Sequence, residues 1–386
     1  MGETAPQKGE RLDAVDLLRV ASALLVVAFH YGAAFALGGS YNSKGWAEIA
    51  TLPREWIPYS WFGWVGVEVF FVISGLVIAG SAEKVGAGTF LARRARRLVP
   101  AAWLCATITA LVLIGMGNAP GHVLYQWAGS AAFLPVWPWI DASYWTLGIE
   151  ISFYLLVALT IHLTGSARLE GLAWLLALLS LGYYSVVLAI GVAPHAADRR
   201  WLDLALLPHG AFFALGIFAR AILTTGLRPM RAAGVLLCVL LGLVEIVGGA
   251  AGGAHAFGIT GSQAVPAFIF LAAMAILFAA PILQGPLGRV LPPRLVTLLG
   301  LATYPLYLLH QDAGGALFVL LQRVGLAPIP ALMLTLAAVI GAALLVAGLL
   351  EPALRRWLVR SAGAACSALA GALHPAPIFL REHSER

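Results

Sequence analysis

The chain has 386 residues, of which 61% are hydrophobic and only 11% charged, and its mean hydropathy is +0.89. A soluble domain carries about 25% charged residues, so this chain lacks the charge to cover a water-facing globule and reads as an all-α integral membrane protein. Its net charge of +6 does not indicate nucleic acid, because the basic residues cluster between apolar runs, as orientation in a bilayer requires.

Apolar runs separated by Gly and Pro breaks predict a bundle of about ten transmembrane helices, at 15–37, 61–80, 98–116, 144–164, 170–191, 204–225, 232–250, 264–283, 296–321 and 329–350. The first run is too long, and too interrupted by Arg19 and His30, for a cleavable signal peptide. Segments 38–60 and 118–143 are rich in aromatics, and Trp137 and Trp139 suit a membrane–water interface. Loops on the far side from the N-terminus hold only Lys44, Arg54, Arg199, Arg200 and Arg323, whereas nearly all other Lys and Arg fall on the near side. That bias places both termini in the cytoplasm, with the Arg199–Arg200 pair as the dissent. The division is a cytoplasmic segment 1–14, a transmembrane domain 15–357 and a cytoplasmic tail 358–386, interfacial or disordered. Cys105, Cys238 and Cys366 form neither a disulfide framework nor a metal motif, and no metal is expected.

Ionisable groups in hydrocarbon cost several kcal/mol unless paired or hydrated, so they are the functional candidates. Arg19 and His30 share nearly one face of the first span, ~16 Å apart along its axis, with Asp16 one turn before Arg19. Counting rise per residue puts His30, Glu68, Glu150 and His310 at one depth in the outer half of the bilayer. Glu245 reaches a similar depth without a surrounding motif. Such a layer either pairs internally to hold the bundle or lines a polar cavity where a histidine moves protons. A proton-coupled transporter or flippase would use the same groups. On the cytoplasmic side, Arg93, Arg94, Arg96 and Arg97 precede Pro100, a cluster suited to phosphate or to anionic headgroups.

These residues together resemble the acyltransferase-3 family of membrane acyltransferases. Arg19 and His30 match its first motif, and Gly66-Val67-Glu68-Val69-Phe70-Phe71-Val72-Ile73-Ser74-Gly75 its second, with Glu68 where many members have Asp. Arg94, Arg97 and Pro100 match the third; Trp145, Leu147, Glu150, Phe153 and Tyr154 match the fourth. Thr303 through His310, including Tyr307, resembles the Ser-Tyr-x-x-Tyr-Leu-x-His segment, and Glu351-Pro352 its closing signal. The resemblance implies acyl-CoA as donor, no permanently bound cofactor, and a hydroxyl acceptor on a sugar, glycan, lipid or macrolide. It implies His30 as general base with Glu150 or Glu68 as its charged partner. Arg19, Glu68, Ser74, Arg94, Arg97, Trp145, Tyr154, Tyr307 and His310 are assigned to substrate binding, with Ser74 a helix-packing or donor-channel residue. The expected setting is a bacterial inner or plasma membrane.

Overall fold

Backbone groups in hydrocarbon have no water to bond, so apolar runs of this length close their hydrogen bonds internally as helices. The computed structural model describes residues 12–35, 53–164, 169–191, 199–259 and 264–361; among them every regular element is helical. The principal helices are α1 (Asp13–Phe29), α2 (Val65–Ala82), α3 (Ala87–Gly115), α4 (Pro120–Ala131), α5 (Trp145–Thr164) and α6 (Leu169–Ile190). There follow α7 (Gly210–Thr225), α8 (Pro229–Phe257), α9 (Val265–Val290), α10 (Pro293–Leu309), α11 (Asp312–Arg323) and α12 (Pro328–Leu345). Proline opens α4, α8, α10 and α12, where its missing N–H costs nothing.

Among the described residues, eight helical segments are long and apolar enough to cross a membrane, and α7 and α10 are shorter apolar helices. The predicted spans coincide largely with helices among the described residues, with corrections at three places. The span 204–225 becomes helical only from Gly210, after a turn over 205–209. The span 296–321 is not continuous: α10 ends at Leu309 and α11 begins at Asp312. The break is chemically closed, because the Tyr31 hydroxyl donates to the His310 carbonyl at 2.7 Å. Asp141 accepts from the Asp312 N–H at 2.9 Å, and Asp312 from the Ala142 N–H at 3.0 Å. A buried hydroxyl donor and a buried carboxylate acceptor thus replace bonds that an unbroken helix would supply. The span at 98–116 in turn begins at Ala87, so the arginine cluster rides on α3 itself. Arg94 and Arg97, three residues apart, turn one face inward, while Arg93 and Arg96 are exposed. The predicted terminal segment as far as residue 11 and the tail from residue 362 lie outside the described residues, as do 36–37 at the end of the first span and 38–52 of the first aromatic segment.

The Arg199–Arg200 dissent also has a physical reason. Arg199 pairs with Glu245 at 3.1 Å and Asp203 at 3.3 Å. Arg200 donates to the carbonyls of Pro135 and Trp145 at 2.7 and 2.9 Å, and lies over the Trp139 ring. These two charges are consumed by internal partners rather than left free in a loop.

Helices α2 and α7 make the most extensive contact in the bundle. Small residues allow it: a Cβ on Gly75 would strike the Phe213 carbonyl, and one on Gly216 the Val72 carbonyl. A Gly75→Val protein is therefore expected to lose about 1–3 kcal/mol or more to overpacking, read as a lower unfolding temperature in detergent. Gly171, with open space around its Cβ position, should accept Ala without loss. Equal stability of the two variants would show that the α2–α7 approach is not limiting.

Candidate active site

Five helices converge on one cavity of about 130 Å³. Helix α1 contributes Arg19, α2 Ser74, α3 Arg94 and Arg97, and α5 Glu150 and Tyr154; α10 adds Tyr304 and Tyr307.

The charged groups are partly paired. Arg19 Nη1 lies 3.5 Å from Asp16, and its electrostatic neighbours include Arg97, Glu150 and Tyr154. Arg97 Nη1 reaches the buried Glu351 carboxylate at 3.1 Å. The Arg94 Nε is buried with no hydrogen-bond partner among the described residues. Its unmet donor faces a cavity already lined by two other guanidiniums, which makes this an anion-accepting end. Glu150 accepts from Ser74 Oγ at 3.2 Å and from the Tyr154 hydroxyl. Tyr154 lies one turn beyond Glu150 on α5, which sets both on one helix face.

His30 sits where α1 tightens into a π-turn, His30–Ala34. Such turns re-aim a side chain within an otherwise regular helix. His310 sits at the α10–α11 break and is fully buried. The two rings meet edge to face at 4.8 Å, with His310 Nε2 3.1 Å from His30 Nδ1. His310 Nδ1 lies 2.7 Å from the Tyr307 carbonyl and His30 Nδ1 2.9 Å from the Val26 carbonyl. A carbonyl only accepts, so in the neutral rings each Nδ1 carries the proton. His310 Nε2 is then a lone-pair acceptor toward His30, and the basic nitrogen of His30 is Nε2. Tyr307 links this pair to the cavity, because it lines the cavity and its ring lies 5.7 Å from that of His310.

The polar groups read from the sequence as one layer thus divide into three sets. His30 is paired with His310, and it has no hydrogen bond or ion pair with Glu150 or Glu68 among the described residues. Glu68 lies instead beside His209, 3.8 Å away, and does not line the cavity. Trp145 also lies outside the cavity lining, with its ring 6.1 Å from that of His209. Depth along each helix was computable from residue rise, whereas lateral neighbours depend on packing. Thr146 carries no sequence signal, Thr303 and Tyr304 stand only as part of the segment ending at His310, and nothing in the sequence pairs Glu351 with Arg97. His209 carried no motif at all.

A multi-pass helical bundle with an arginine-lined cavity and a buried histidine pair has the form of a membrane enzyme. Residues 12–350 match the family described as an acyltransferase domain. The chain belongs to that family, acyltransferase-3, and is an enzyme that transfers acyl groups. It is 33% identical over 118 residues to the exopolysaccharide production protein ExoZ of Rhizobium meliloti (strain 1021), covering 28% of this chain and 37% of that protein. It is 27% identical over 301 residues to the acyltransferase MdmB of Streptomyces mycarofaciens, covering 71% of this chain and 70% of the relative. No solved structure matches.

Proposed function

We propose that the enzyme moves an acetyl or short acyl group from cytoplasmic acyl-CoA to a hydroxyl of a sugar, glycan, lipid or macrolide-type acceptor. The observation that carries this reading is the cavity that joins Arg19, Arg94 and Arg97 to Glu150 and Tyr307. Three guanidiniums suit the phosphates of CoA, and the cavity that continues from them to Tyr307 offers a path for its pantetheine arm. With both termini cytoplasmic, as the charge bias indicates, the arginines face the compartment that holds CoA. A bacterial inner or plasma membrane is the corresponding location. The ExoZ relative, named for exopolysaccharide production, supports a glycan among the acceptors. Nothing in the site favours a carrier over an enzyme.

In the reaction, His30 Nε2 takes the proton of the acceptor hydroxyl as its oxygen attacks the thioester carbonyl. The C–S bond breaks, and the CoA thiolate leaves and takes up the proton. His310 holds the His30 ring through Nε2, so its role is positioning. Ser74, bonded to Glu150, belongs to the donor channel.

Donor binding tests the reading. Replacing Arg94 and Arg97 by Ala is expected to weaken acyl-CoA binding on the order of 10²-fold, because two charge-assisted contacts are lost. Lys at both sites should restore binding only in part, because a point charge lacks the guanidinium fork. Lys at 97 also keeps a charge opposite Glu351 and so controls for misfolding. Calorimetric or fluorescence titration showing unchanged affinity in a folded double Ala protein would reduce the cluster to a determinant of orientation.

A further inference from the structure

We propose that Glu68, His209 and Glu245 form a buried site for a divalent transition-metal cation, separate from the acyl-transfer cavity. The three come from different elements: Glu68 from α2, His209 from the residue before α7, and Glu245 from α8. One ligand atom from each lies within 4.8 Å of the other two. All are deeply buried, with relative exposures of 5%, 1% and 0%. None of them lines the cavity described above.

Two independent observations point to a cation. The first is unmet bonding: Glu68 Oε2 and His209 Nδ1, 3.8 Å apart, are buried with no hydrogen-bond partner among the described residues. Such groups are costly in an apolar interior unless something coordinates them. The second is charge. Glu68, Glu245 and Asp203 are three carboxylates, and Arg199 is the guanidinium paired with two of them, Glu245 at 3.1 Å and Asp203 at 3.3 Å. Three carboxylates gathered around one guanidinium offer a cation more favourable electrostatics than an anion.

The geometry around His209 has the form that metal-ligating histidines take. Its Nδ1 faces Glu68 Oε2 at 3.8 Å, whereas Nε2 faces Asp203 Oδ1 at 3.4 Å. In that orientation Nδ1 coordinates, and Asp203 fixes the tautomer by accepting from Nε2–H. Tyr184 donates to one oxygen of Glu245 and Arg199 to the other, so this ligand too is held from behind. Zinc–ligand bonds of about 2.0–2.2 Å require the three ligand atoms to close in slightly from their present spacing. One imidazole with carboxylates suits zinc, manganese or ferrous iron better than magnesium or calcium. The bound ion would tie α2, α7 and α8 together where Gly75 and Gly216 already bring two of them close. No sequence spacing announces the site, because each ligand comes from a different helix or turn.

The test is elemental analysis of full-length protein purified in mild detergent, with a tag free of histidine and with no chelator. One zinc, manganese or iron ion per chain is expected in the wild type, falling to trace in Glu68→Gln and His209→Gln. Stripping with EDTA should lower the unfolding temperature, and zinc or manganese chloride should restore it where magnesium chloride does not. Should a variant fail to fold, the wild-type metal content and its metal-dependent unfolding shift decide alone. Trace metal in folded wild-type protein with no shift on adding these ions overturns the proposal, as does equal metal content in the folded variants. These readouts do not involve acyl transfer, so they stand or fall apart from the donor and base assignments.

Discussion

A His30→Ala enzyme is expected to lose acyl transfer by about 10²–10⁴-fold, the usual contribution of a positioned general base, while acyl-CoA binding stays near wild type. His30 is half-buried at a π-turn and contacts His310, whereas the arginine-lined cavity does not include it. Binding and chemistry should therefore separate in this variant. Single-turnover transfer and donor affinity, measured on the same detergent-purified sample, give the split. His310→Asn should produce a smaller loss, because it removes the group that orients the His30 ring and leaves the base in place. Near-normal turnover in folded His30→Ala protein would show that another group takes the proton.

Glu150→Gln is expected to lower turnover on the order of 10²-fold, the scale of removing one preorganised electrostatic group from a water-excluded site. The carboxylate accepts from both Ser74 and Tyr154 and is an electrostatic neighbour of Arg19. A glutamine keeps the size and one acceptor oxygen, but it presents an N–H₂ where the second oxygen was and removes the counter-charge from among the arginines. Donor affinity should hold or rise, because a negative charge beside the phosphate-binding groups is gone. A purely structural carboxylate behaves differently: Gln is tolerated, and Ala fails through lost thermal stability. The fall in kcat without a rise in the donor Kd separates the two, and a stable, fully active Glu150→Gln enzyme would remove Glu150 from the mechanism.

Membrane class, approximate helix positions and most polar cavity residues were legible in the amino-acid sequence, because a bilayer demands long uninterrupted apolar runs and taxes every exception within them. Arg19, Ser74, Arg94, Arg97, Glu150, Tyr154 and Tyr307 stood out on that ground or by motif, and all seven line one cavity. Residue rise gives a group's depth along its helix, but it carries no information on which helix stands beside it. Only the tertiary structure decided that His30 meets His310 and not Glu150, and that Glu68 meets His209. Helix neighbours follow from packing, and here the Gly75–Gly216 approach sets α2 against α7 and carries Glu68 toward the N-terminal end of α7. The break at His310 was equally hidden, since the run 296–321 is apolar enough to continue as one helix. What ends α10 there is a set of partners far away in the chain, Tyr31 and Asp141, which bond the backbone groups that a continuous helix would have satisfied.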